Sequence, residues 1–195
     1  MSRRPPAARQ RGATVAEFAL CVVVFFAVMF FVLEMARALY LVNTLQEATR
    51  RAAHAAAVSD FSDAAVMDSV RQAAILRDGP GGLLLGAPVT DAHIHIDYLS
   101  LTRSGNGSLS LTPIPAASMP ACPARARINC AASPYGASCI RFVRARVCAP
   151  DGGDCDAVGY QPLLPLLDIS FPLPSAVTIA KAESLGYQPG SPLCP

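Results

Sequence analysis

ATVAEFALCVVVFFAVMFFVL, residues 13–33, runs directly into EMARALYLVNTLQEATRRAAHAAAV, residues 34–58, with no glycine or proline in either piece. Between Phe18 and Leu33 no side chain is charged. A helix crosses a bilayer with about 20 apolar residues, so residues 13–33 predict a transmembrane helix. A secretory signal peptide shares a basic start, but its apolar core spans roughly 7–15 residues and ends at a small-residue cleavage site. Here the apolar stretch is longer and passes straight into a second helical pattern. Leu39, Val42, Leu45, Ala52, Ala53 and Ala56 recur at helical spacing, with Thr49 the one polar member of the stripe. Glu34 with Arg37, and Glu47 with Arg50 and Arg51, stand three or four residues apart and support the helix modestly. One helix over 13–58 is therefore expected. Beyond the membrane it continues over 34–60 with a small-residue face that another element can approach closely.

Residues 1–12 form a short basic leader with Arg3, Arg4, Arg9 and Arg11, and Pro5-Pro6 disfavours a helix there. Positive charge before the span and balanced charge after it put the N-terminus in the cytoplasm and residues 61–195 outside it. The formal net charge of +2 hides this asymmetry. Residues 1–59 hold seven arginines against Glu17, Glu34 and Glu47, and the remainder is slightly acidic. No basic stripe with interleaved aromatics is present, so a nucleic-acid partner is not expected. With 52% hydrophobic and 15% charged residues, the chain is rich in apolar residues for a soluble protein, and many of them are concentrated between Phe18 and Leu33.

After residue 60 the pattern breaks into shorter pieces. Ser62 as N-cap, with Asp63 in the first turn, opens a helix to about Arg77 whose inner face is Val66, Val70, Ala73 and Ala74. Gly79-Pro80-Gly81-Gly82 ends it. Short strands are then expected at His93–Leu101, Leu109–Leu111, Cys139–Cys148, Ile169–Phe171 and Val177–Ala182. In the strand at 139–148, Ile140 and Phe142 share one face, and Val143, Ala145 and Val147 then imply a one-residue bulge or register change. The many prolines of this half imply turns and little continuous helix. The fold class is α+β, a long N-terminal transmembrane helix followed by a domain with a small antiparallel sheet.

Of seven cysteines, Cys21 lies in the apolar span and reads as a small buried hydrophobe. Cys122, Cys130, Cys139, Cys148, Cys155 and Cys194 are even in number and beyond the span. None forms a C-x-x-C, and no histidine lies near them in sequence, so zinc is a poor fit. Disulfides in an oxidising compartment are expected. Asp151-Gly152-Gly153-Asp154 lacks the spacing of a calcium loop and reads as a turn closed by Cys148 and Cys155, while the other pairings stay open. His93, His95 and Asp97 alternate and could meet a metal. Same-face strand neighbours lie about 6–7 Å apart, however, and a solvent-facing strand edge is the better reading. No cofactor is expected, and no nucleophile elbow, phosphate loop or Ser/His/Asp set suggests an enzyme.

One residue in the span stands out. Glu17 places a carboxylate at its mouth, at a cost of ~2.5–3.5 kcal/mol at mid-bilayer and less near the interface. Gly12 lies five residues before it, and the stretch reads Arg11-Gly12-Ala13-Thr14-Val15-Ala16-Glu17-Phe18. This resembles the cleavage signal of prepilins and pseudopilins. The chain is most similar to the TadE-like family of the tight-adherence (Flp-type) pilus system. Arg11, Gly12, Glu17, Phe18 and Ala19 carry the likeness, followed by Glu34, Arg37, Asn43, Leu45, Gln46, Glu47, Ala48 and Arg50. Tyr160-Gln161-Pro162-Leu163-Leu164-Pro165-Leu166 and the strand at 176–182 resemble the family more loosely.

The resemblance implies a pilin-like extracytoplasmic domain and a minor pilin or pseudopilin role in the bacterial inner membrane. It further implies that a prepilin peptidase cuts between Gly12 and Ala13, so that the new Ala13 amine can pair with Glu17 of a neighbouring pilus subunit. Type II secretion pseudopilins and type IV pilins usually begin with phenylalanine or another bulky residue, so Ala13 favours the tight-adherence branch. A type II secretion pseudopilin, or an uncut membrane-tethered binding protein, are the alternative readings.

Overall fold

The computed structural model describes residues 13–150, 155–163, 171–190 and 194. Helix α1 runs unbroken from Ala13 to Val58, as a stretch without glycine or proline allows. The chain divides into two compact units, one up to Leu39 and one from Tyr40 onward. In the first unit α1 is long and apolar enough to cross a membrane, and none of its apolar window is buried. Cys21 is accordingly exposed rather than a buried hydrophobe.

The second unit is α+β. Its sheet has the order β2-β1-β3-β4 with every pair antiparallel. The strands are β1 (Ile94–Arg103), β2 (Leu109–Pro113), β3 (Phe142–Val147) and β4 (Val177–Lys181). Helices α2 (Ala64–Ala74) and α3 (Pro123–Ala132) complete it. The second half of α1 buries Leu41, Leu45, Ala48, Thr49, Ala52, Ala53, Ala56 and Ala57. Ala56 and Ala57 join Met67, Val70, Tyr98, Ile140, Val143 and Leu185 in one core. Five alanines on one helix face keep the backbone close to its neighbours, which is what a small-residue stripe is suited to do.

The end of α1 is capped from far along the chain. Glu183 N–H and Leu185 N–H both donate to Ala57 O, at 3.1 and 3.0 Å, and Ser184 Oγ donates to Val58 O at 3.3 Å. Helix ends leave carbonyls without intrahelical partners, and residues 183–185 supply them here. Gly186 follows at φ +79°, against the backbone of Asp60.

Several details differ from the sequence expectation. The stripe on α1 is shifted: Leu39 is exposed and Leu41 and Ala48 are buried in its place. Asp63, not Ser62, caps α2, its carboxylate accepting from Ala65 N–H and Val66 N–H. A carboxylate in the cap position also meets the positive helix end, which a serine hydroxyl does less well. The buried face of α2 is Met67, Val70 and Ala74, with Ile75 just beyond, while Ala73 is exposed. Ten residues after Cys122 form α3, led by Pro123 at its first position, where a missing N–H costs nothing. The proline-rich half therefore holds more helix than expected.

The anticipated register change is present at the mouth of β3. Leu99 is registered opposite Phe142, yet Leu99 O accepts the N–H of Arg141 at 2.8 Å. Two residues thus address one, and Ile140 falls on the same buried side as Val143, Ala145 and Val147. Within β3 the alternation is regular. Residues 169 and 170 of an expected strand, residues 151–154 of an expected turn, and residues 164–166 of the family-like Tyr160 segment lie outside the described residues.

Candidate functional site

The sequence directs attention to the start of α1. Ala13 is its first residue, and Glu17 and Phe18 lie one turn further on. Positions i and i+4 share a helix face, so residue 13 and Glu17 are neighbours along one side. Gly12 lies outside the described residues. Glu17 is exposed, and Phe18 is 71% exposed. From there the helix shows only apolar side chains until Glu34, which forms an ion pair with Arg37 at 3.4 Å. At 1.5 Å per residue, Glu17 and Glu34 are separated by about 25 Å along the axis. That is close to the ~30 Å hydrocarbon thickness of a bilayer. The two carboxylates therefore bracket the apolar stretch, and each can sit near an interface, where a charge is tolerated.

Chemically, this end of α1 offers a carboxylate with no ion pair among the described residues. It suits recognition and pairing with a cation.

The six cysteines form three disulfides: Cys122–Cys194, Cys130–Cys139 and Cys148–Cys155. The second ties α3 to the segment entering β3, and the third joins the residue after β3, Cys148, to Cys155.

His93, His95 and Asp97 do not converge. His93 lies in a 3-10 turn before β1, and its Nδ1 accepts the Thr90 N–H at 3.0 Å. Asp97 is held by Arg144 and Arg146, both at 2.8 Å. Among the described residues no group of three His, Cys, Asp or Glu is placed to hold a metal. The Arg144–Asp97–Arg146 cluster was missed in the sequence, although Asp97 on β1 and Arg144-x-Arg146 on β3 were visible there. Only the register Asp97↔Arg144 brings them together. Beside them, burial and then Arg146 hold the His95 imidazole below its ordinary range, and its Nε2 is buried without a partner. Burial likewise pushes the Tyr98 phenol up.

The stretch that carries Glu17 also has relatives. A family model described as TadE-like protein matches residues 12–54, from just before the start of α1 to four residues short of its end. The resemblance read from Gly12, Glu17, Phe18, Glu34, Arg37 and the Asn43–Arg50 segment is thus shown over that stretch, and it suggests a protein associated with the tight-adherence pilus. No curated protein and no solved structure matches the chain.

Proposed function

We propose that this chain, TadE-like over residues 12–54, is a structural subunit of tight-adherence pilus assembly, of minor pilin or pseudopilin type. It is anchored in the bacterial inner membrane by residues 13–33, with the disulfide-bonded domain outside the cytoplasm. A prepilin peptidase removes the leader between Gly12 and Ala13. Glycine suits the cut because, without a side chain, its backbone enters a narrow groove. The released Ala13 amine and Glu17 are charges that are costly alone in an apolar layer and tolerable as a pair. The role is assembly, in support of adhesion or secretion, and not catalysis.

The observation that carries this reading is the family match. It spans Gly12 and, on one continuous helix beginning at Ala13, Glu17 and the uncharged stretch to Glu34. The experiment compares strains producing the wild-type chain, Glu17→Ala and Glu17→Asp, scoring surface pili and the amount of this protein in the membrane. The reading expects Glu17→Ala to abolish or sharply reduce pili at unchanged protein level, with Glu17→Asp partly active. Normal piliation with Glu17→Ala would point instead to a tethered domain that never enters the assembly.

A further inference from the structure

We propose that the groove between α3 and the end of β4 binds a carboxylate-bearing group. The groove has a volume of about 170 Å³. Its floor is apolar, with Ala126, Ile140, Ala182 and Leu185 in its lining. Its rim carries three cations from three separate segments: Arg127 of α3, Arg141 before β3 and Lys181 at the end of β4. The Cys130–Cys139 disulfide joins α3 to the segment bearing Ile140 and Arg141, so two of the walls are covalently linked. This site is separate from the start of α1 and does not rest on the reading of pilus assembly.

Charge points to an anion. Elsewhere Arg37, Arg50, Arg51, Arg71, Arg144 and Arg146 find a carboxylate, whereas Arg77, Arg103 and Arg125, each alone, form no ion pair among the described residues. Among the described residues, Arg127, Arg141 and Lys181 form no ion pair, although Glu183 shares the lining. Arg127 instead lies over the Tyr187 ring, 4.4 Å from its centre, which holds the guanidinium in place. Gathered like charges repel, and a bound anion relieves that repulsion. The planar guanidinium fork matches a carboxylate, with lysine adding a point charge.

Size and lining narrow the ligand further. Pockets for drug-sized molecules measure roughly 300–1,000 Å³, so this one takes a single group. An apolar floor suits a carboxylate carried on a small ring or short chain rather than a bare ion. Glu183 in the lining disfavours a doubly charged phosphate relative to a singly charged carboxylate.

The test is calorimetric titration of the full-length chain, in micelles of uncharged detergent, with glucuronate and with glucose as its uncharged counterpart. Saturable binding of glucuronate but not glucose is expected. The double variant Arg141→Gln/Lys181→Gln, at exposed positions, should weaken it by about tenfold or more at an unchanged melting temperature. Arg103→Gln, outside the groove, should bind as wild type, and Glu183→Gln should bind more tightly. A glucuronate oligomer that binds no tighter than the monomer assigns the site to a free acid, and one that binds tighter assigns it to a polymer. No saturable glucuronate binding, equal binding of glucose, or equal loss in Arg103→Gln would overturn the proposal. Weaker binding by Glu183→Gln would do so as well.

Discussion

Thr49 Oγ1 on α1 and Thr178 Oγ1 on β4 stand 2.9 Å apart, a direct hydrogen bond between the long helix and the edge strand of the sheet. Thr49 is fully buried, and its hydroxyl also donates to Gln46 O at 2.9 Å. The one polar residue in an otherwise apolar stripe is therefore a fastening point. Thr49→Val keeps the shape and leaves the Thr178 hydroxyl short of a partner, so a loss of about 1 kcal/mol is expected. Denaturant unfolding of Thr49→Val, Thr178→Val and the double variant checks it. The double variant should lose less than the sum of the two, as groups in contact do.

Much of this arrangement was legible in the sequence, and the limits are physical. Helix α1 was readable because an uncharged run and a small-residue stripe both obey one period. The stripe's exact members were not, since Leu39 and Leu41 differ only in what lies opposite them. Ser62 and Asp63 are both good caps, and only the backbone decides between them. Cys148 and Cys155 could be paired from a short turn, whereas Cys122–Cys194 depends on how the chain returns. The candidate site was visible as Gly12 and Glu17, because a membrane makes any charge conspicuous. The groove cations Arg127, Arg141 and Lys181 were not, because three distant segments must fold before they meet.

The longest disulfide should matter most. Cys122–Cys194 spans 72 residues, against 9 for Cys130–Cys139 and 7 for Cys148–Cys155. Restricting the unfolded chain gives about 4 kcal/mol for the long link and about 2–3 kcal/mol for each short one. Pairwise replacement by serine, followed by thermal unfolding, should rank the three in that order.

Gly186 cannot take a side chain without cost. At φ +79° the position favours glycine, and a Cβ would collide with the Asp60 backbone. Gly186→Ala should destabilise the domain by about 1–3 kcal/mol, because the displaced segment also caps Ala57 O. Amide exchange should show the last turn of α1 opening first.

Acid should weaken the second unit through His95. Its folded-state proton affinity lies below the unfolded one because of burial and Arg146. Below the unfolded value of about 6.5, the unfolded chain gains protons first, and stability falls as pH drops. Above that value the contribution is level. His95→Gln should flatten the melting temperature between pH 7 and 5 (about the range where imidazole titrates). Glu47, held down to about 2 chiefly by hydrogen bonds from Arg50 and Arg51, loses its contribution progressively as pH falls from the ordinary carboxylate value of 4.5 toward 2, below this window.

The most direct test of the assembly account is the N-terminus of the protein purified from membranes, by intact mass and N-terminal sequencing, with and without a prepilin peptidase. The account predicts a chain beginning at Ala13 only when the peptidase is present. A chain that keeps residues 1–12 in both samples would contradict it and leave α1 as a plain anchor.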